Sequence, residues 1–178
     1  RKGENSEPWG MWVHTFQRLV PPDVYFVQHP EYFSMVGGIR VTDGQLCLSN
    51  PEVFRILTEN LRNAWNLEPE ARYWSVSQND TYKNCECDGC THLDSLYGGP
   101  SGTMIWFVNQ VADAFPGKVI STLAYQYTRQ APENIVPRKN VNIMLCTIEC
   151  DRGAPITERD PGFVRDLKEW RALTSNIL

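Results

Sequence analysis

At 178 residues with 42% hydrophobic and 21% charged positions, the chain can bury about 70% of its unfolded surface around a core, which excludes disorder and low complexity. A net charge of −4 with no basic stripe excludes a nucleic-acid partner held by phosphate neutralisation. The longest apolar runs fall far short of the ~20 residues of a membrane span, so a soluble chain without a membrane partner is expected. The first residue is Arg1, with no charged segment leading into an apolar one, and the true start is expected to lie upstream.

Met11 to Phe16 (MWVHTF) is short, apolar and aromatic, and predicts a first strand. Pro22 to Leu48 shows no sustained period and is read as a long loop carrying Tyr25, His29, Tyr32 and a Gly37-Gly38 pair. Asn50 as N-cap, Pro51 at the first helical position and Glu52 beside it mark a helix, whose apolar stripe is Phe54, Leu57, Leu61, Ala64 and Trp65. Tyr73 to Ser77 predicts a strand, followed by a Cys- and Gly-rich loop from Gln78 to Pro100. A helix after Ser101 is then closed by Pro116-Gly117. Val119 to Tyr125 and Val141 to Ile148 predict two more strands, the second apolar enough for a parallel sheet covered on both faces. A short turn of helix is expected around Pro132 to Val136, and a last helix from Asp160-Pro161 that ends the chain.

This alternation is that of an α/β fold with parallel strands. A doubly wound sheet and part of a (β/α)8 barrel both fit it. No Gly-rich phosphate fingerprint follows any strand, which weakens the nucleotide-binding version. His14, Gln78-Asn79-Asp80, Tyr125-Gln126-Tyr127 and Glu149-Asp151 all lie at or just beyond predicted strand ends, where barrel enzymes keep their active sites. Four strands, against the ~250 residues of a full barrel, predict about half of a TIM barrel. Residues 1–178 are therefore read as a single domain, a fragment of a larger barrel, with exposed apolar surface that favours self-association.

Asp80 and Glu149 are the candidate catalytic pair. Two carboxylates on one rim suit glycosidic bond cleavage, one as protonated acid and one as base or nucleophile. Glu149 is the expected general acid, since an apolar strand end would raise its pKa. The plainer reading has Asp80 capping its loop and Glu149 pairing with Arg152. Asp151 is read as a surface ion pair with Arg152, and His29 as structural. His14, Asn79, Tyr125 and Tyr127 are the candidate sugar-binding residues, with loop aromatics such as Tyr32, Phe33, Tyr82 and Tyr97 able to stack on sugar faces or simply to pack. Asn79-Asp80-Thr81 matches the N-glycosylation triplet, read as accidental. The alternative function is a carbohydrate-binding or scaffold module without catalysis.

Cys85, Cys87 and Cys90 form a C-x-C-x-x-C, with His92 two residues on. Structural zinc on these four is one reading. The competing reading is a disulfide, for example Cys85 with Cys90, with Cys47 and Cys146 another possible pair; zinc is not favoured over it, either would order the loop beside Asp80, and no cofactor and no catalytic metal are expected. A third reading, a zinc-dependent hydrolase, would need an open coordination position.

The segments HTF at His14, HPEYF at His29, QLCLSNPEV at Gln45, SVSQND ending at Asp80, the C-x-C-x-x-C, LAYQYT at Leu123 and IEC-D at Glu149 resemble, in order and over most of the chain, an uncharacterised family of secreted bacterial domains. Its members commonly carry an alpha-glucuronidase-like N-terminal domain. The resemblance implies a TIM-barrel domain similar to those of alpha-glucuronidases and beta-hexosaminidases, a secreted, periplasmic or cell-surface location, a polysaccharide or glycan substrate, and further barrel units beyond Leu178.

Overall fold

Capped helices and apolar strands alternate along the chain. The computed structural model describes residues 9–151 and 153–178. An extended segment places Trp9 in parallel beside Tyr73 and leads into two single-turn helices, α1 (Phe16–Leu19) and α2 (Pro22–Tyr25). A hairpin of β1 (Met35–Val36) and β2 (Ile39–Arg40) follows. The remaining elements are α3 (Pro51–Leu67), β3 (Tyr73–Ser75), α4 (Asp88–Tyr97), α5 (Pro100–Ala114), β4 (Val119–Ala124), β5 (Val141–Leu145), α6 (Ile156–Arg159) and α7 (Pro161–Leu173).

The best-marked boundaries are set by local chemistry. The Asn50 side chain accepts the Glu52 amide at 2.9 Å at the start of α3, and the Asp160 carboxylate accepts the Phe163 amide at 2.8 Å at the start of α7. Each side chain satisfies a donor that the first helical turn leaves without a partner, and each is followed by a proline that needs none.

β3, β4 and β5 form a three-stranded parallel sheet in chain order. Pairing continues past both edges: the Gly10 amide reaches Tyr73 O at 3.0 Å, and the Leu178 amide reaches Ile143 O at 2.8 Å. The register aligns Trp74, Ile120 and Val141 in one row and Ser75, Ser121 and Asn142 in the next. The two rows face opposite ways. Trp74, Ile120 and Val141 join the core beneath α3 and α5, where Phe107 meets the rings of Phe16 and Phe54 edge-on. The other row is polar and nonetheless buried: Ser121 Oγ donates to Asn142 Oδ1 at 3.0 Å, and Asn142 Nδ2 to Asn176 Oδ1 at 2.9 Å. These bonds offset the desolvation of each polar group.

The fold is therefore mixed α/β with a parallel sheet, and no closed barrel forms among the described residues. Several local expectations are corrected. Met11 to Phe16 forms no strand: only an isolated bridge at Trp9 joins Tyr73, and His14 takes a left-handed backbone (φ 57°) that turns the chain into α1. The long loop contains the β1–β2 hairpin, whose Gly37 and Gly38 both have positive φ, the conformation that a two-residue hairpin turn requires. The cysteine-rich loop contains α4, closed by Gly98 in the left-handed region. Residues 132–136 form no helix; a single 3-10 turn spans Gln126–Thr128 instead. Residues beyond α7 do not stop at a helix end but pair with β5, Ile177 beside Ile143. Among the described residues no helix is long and apolar enough to cross a membrane.

Gly10 shows how tightly the N-terminal segment seats. A Cβ there would lie 2.4 Å from the Trp74 ring, itself buried with its indole N–H on Ala71 O. Gly10→Ala is expected to cost about 1–3 kcal/mol by overpacking, measured by urea unfolding. An unchanged midpoint would show that the segment shifts freely over Trp74.

Candidate functional site

The carboxyl ends of the parallel strands open on one rim, above a cleft of about 550 Å³. Its lining includes Trp12, His14, Asp80, Tyr125, Met144 and Ile148. Trp12, Ile148 and Leu178 are large apolar side chains left exposed at its wall.

Backbone conformation aims the polar groups. His14 and Gln126 are both non-glycine residues with positive φ (57° and 51°), a geometry costing about 1 kcal/mol or more that concentrates at functional sites. His14 Nδ1 lies 2.8 Å from Gln78 O. A carbonyl only accepts, so Nδ1 carries the proton and Nε2 is the acceptor of the neutral ring. Asp80 Oδ1 accepts the Tyr125 hydroxyl at 3.0 Å and Gln126 Nε2 at 2.9 Å. Burial first, and then this bond to Asp80, hold the Tyr125 hydroxyl above its ordinary pKa, so it stays a donor. Gln126 Oε1 is buried with no hydrogen-bond partner among the described residues.

Glu149 stands on the same rim but in a neighbouring depression with Gln126, Arg129, Arg165 and Asp166. Its Oε1 accepts the Tyr82 hydroxyl at 2.9 Å, and Arg129 Nη1 approaches Oε2 at 3.6 Å. The bond to Glu149 is the main reason the Tyr82 hydroxyl is pushed above its ordinary pKa. Arg129 in turn binds the buried Asp166 at 2.8 Å. The structure thus brings Asp80, Tyr125 and His14 into one cleft, with Glu149 alongside.

Two candidates are placed elsewhere. Asn79 is buried: its side chain donates to Gly44 O at 2.8 Å, and its amide donates to Gln45 Oε1 at 2.8 Å. It clasps two loops together, and its burial leaves the glycosylation triplet without an accessible amide. Tyr127, one residue past the strained Gln126, points away from the cleft toward Cys85, Cys90, Asp94 and Thr103. His29 stacks on Tyr32 and meets Glu31 locally. Asp151 pairs with Arg159 at 3.5 Å, and Arg152, its expected partner, lies outside the described residues.

Sequence reasoning missed Gln45, Arg129 and the roles of Tyr82 and Gln126. Gln45 Nε2 donates to the carbonyls of Asn79 and Thr81, both at 2.8 Å, holding the Asp80 segment from both sides. A lone Gln in a loop carries no local signal of this.

The cysteines depart furthest from expectation. Cys47, Cys85, Cys87 and Cys90 place their sulfurs within 4.8 Å of one another. Cys47 Sγ is 3.4 Å from Cys87 Sγ and 3.9 Å from Cys90 Sγ, well beyond the ~2.05 Å of a disulfide. Cys85, Cys90, Cys47 and Cys146 are all free thiols, so neither the Cys85–Cys90 nor the Cys47–Cys146 bridge forms, and Cys47 turns instead toward the C-x-C-x-x-C. His92 is exposed on α4 and is not part of the group. Hydrogen bonding to Cys47 pushes the Cys85 thiol up to about 11 and the Cys90 thiol up as well, while Cys47 is drawn down by the same bonds. Four buried sulfurs this close can hold a metal such as zinc.

A comparison with curated proteins finds no match. One family model covers the whole chain, residues 1–178, in keeping with the motifs that run in order from His14 to Glu149. The chain belongs to the family described as Domain of unknown function (DUF4838).

Proposed function

We propose that the rim cleft binds a carbohydrate and that the domain is a glycoside hydrolase-like unit built on part of a (β/α)8-type barrel. The observation that carries this reading is the convergence of His14, from the extended segment beside β3, with Asp80, Tyr125 and Gln126, from the segments that follow β3 and β4, beside an exposed Trp12. Sugars offer hydroxyl groups to such donors and acceptors and an apolar ring face to the indole. Strands that neighbour one another in chain order support a barrel-type winding, since a doubly wound sheet reverses its order at the ligand crevice.

In this reading Asp80 and Glu149 are the carboxylates of glycosidic cleavage. The Tyr82 hydroxyl and the Arg129 guanidinium fix the position of the Glu149 carboxyl group at the rim. The substrate class is an extracellular or cell-surface polysaccharide or glycan, as the family resemblance implies.

A second reading, carbohydrate binding without catalysis, is favoured by one observation: Glu149 is ion-paired and opens on the depression beside the Asp80 cleft. Titration of oligosaccharides and glucuronosides, followed by amide shifts and by release of an aryl leaving group, tests both. Catalysis predicts that Asp80→Asn and Glu149→Gln each lower turnover by about 100-fold or more while binding persists. Binding at Trp12 and Tyr125 with no turnover selects the second reading. Sugar bound away from this rim, or not at all, overturns both.

A further inference from the structure

We propose that Cys47, Cys85, Cys87 and Cys90 bind one zinc ion in a closed tetrathiolate site, which ties the segment before α3 to the loop that carries Asp80. Four thiolates about 2.3 Å from a central zinc stand about 3.8 Å from one another. Cys47 Sγ stands 3.4 Å from Cys87 Sγ and 3.9 Å from Cys90 Sγ, distances that bracket that edge, and all four sulfurs fall within 4.8 Å of one another.

The surroundings are built for sulfur that carries negative charge. The Met35 amide donates to Cys85 Sγ at 3.4 Å, Arg40 Nη1 approaches the same sulfur at 3.6 Å, and Ser49 Oγ lies 3.2 Å from Cys90 Sγ. A dication with four thiolates has a net charge of −2, which a guanidinium and N–H donors offset; packed neutral thiols need neither. Cys87 is the N-cap of α4 and Cys90 lies in its first turn, where the helix favours anionic ligands. Gly89 between them is closed in, since a Cβ would meet Ser49 Oγ at 2.6 Å. The ligands come from two separate stretches of chain, the arrangement by which a structural zinc closes a fold.

All four positions are filled by protein, so the ion has no open site for water or substrate, and the role is structural. Gln45, two residues before Cys47, bonds the carbonyls flanking Asp80, so the zinc anchors one end of the clasp that sets the position of Asp80. The proposal concerns a different site from the sugar cleft and stands or falls separately from it.

The test is the metal content of the full chain, purified without chelator, by elemental analysis and native mass spectrometry. One zinc per chain is expected, and cobalt exchanged into the site should show the intense visible bands of tetrahedral tetrathiolate coordination. Cys47→Ser should lose the metal or bind it far more weakly, whereas His92→Ala should keep it in full. Should Cys47→Ser fail to fold, the cobalt spectrum of the unsubstituted chain decides. Overturning results are no bound metal in zinc-replete preparations, iron in its place, a disulfide among the four cysteines, or loss of the metal in His92→Ala.

Discussion

Stripping the proposed zinc, or replacing Cys87 by Ser, is expected to destabilise the domain by more than about 4 kcal/mol, because loss of a structural metal belongs to the largest class of single-site effects. For a chain of this length that is a fall in melting temperature on the order of 8–16 °C. Two separate stretches of chain, one at Cys47 and one from Cys85 into the first turn of α4, would lose their shared anchor. Thermal unfolding with and without a tight chelator measures it. The loss should be reversed by added zinc in the unsubstituted chain and not in Cys87→Ser. A melting temperature indifferent to chelator would mean that the four sulfurs merely pack.

Arg129→Met is expected to cost about 3 kcal/mol, through the buried carboxylate it leaves behind. Asp166 is almost fully buried on α7, and its cationic partners among the described residues are Arg129 at 2.8 Å and the largely exposed Arg165 at 3.2 Å. Removing the inner guanidinium leaves Asp166 with a solvent-screened partner only. Arg129→Lys keeps the charge but not the planar fork and should fall between. Asp166→Asn should cost less than Arg129→Met, since Arg129 is partly exposed and retains Glu149 at 3.6 Å. Equilibrium unfolding of the three variants checks this order. Because Arg129 spans Asp166 and Glu149, its loss should also alter any sugar response near Glu149 more than near Asp80.

Helix starts were legible wherever one or two neighbouring residues decide them. Asn50-Pro51 and Asp160-Pro161 combine a capping oxygen with a residue that lacks an N–H, and both begin helices as expected. α4 was not legible, because its first turn is Asp88-Gly89-Cys90 and its sequence is short and polar, with only Cys90 fully buried. The β1–β2 hairpin was signalled by Gly37-Gly38, but its two-residue strands are too short to show an alternating pattern.

The rim divides in the same way. That polar residues follow the strands was visible, yet the turn at Gln126–Thr128 separates Tyr125, bonded to Asp80, from Tyr127, which faces the cysteine side. A positive φ at a residue that is not glycine has no sequence signature.

By itself, the sequence determined the alternation of parallel strands with helices, the capped starts of α3 and α7, and the position of Asp80, Tyr125 and Glu149 just beyond β3, β4 and β5, because periodicity and capping act over a few residues. Only the tertiary structure decided that Cys47 joins Cys85, Cys87 and Cys90 while His92 stays outside, and that Glu149 pairs with Arg129. Such contacts depend on the path of the chain between distant positions and on the direction each backbone conformation gives its side chain, and local chemistry specifies neither.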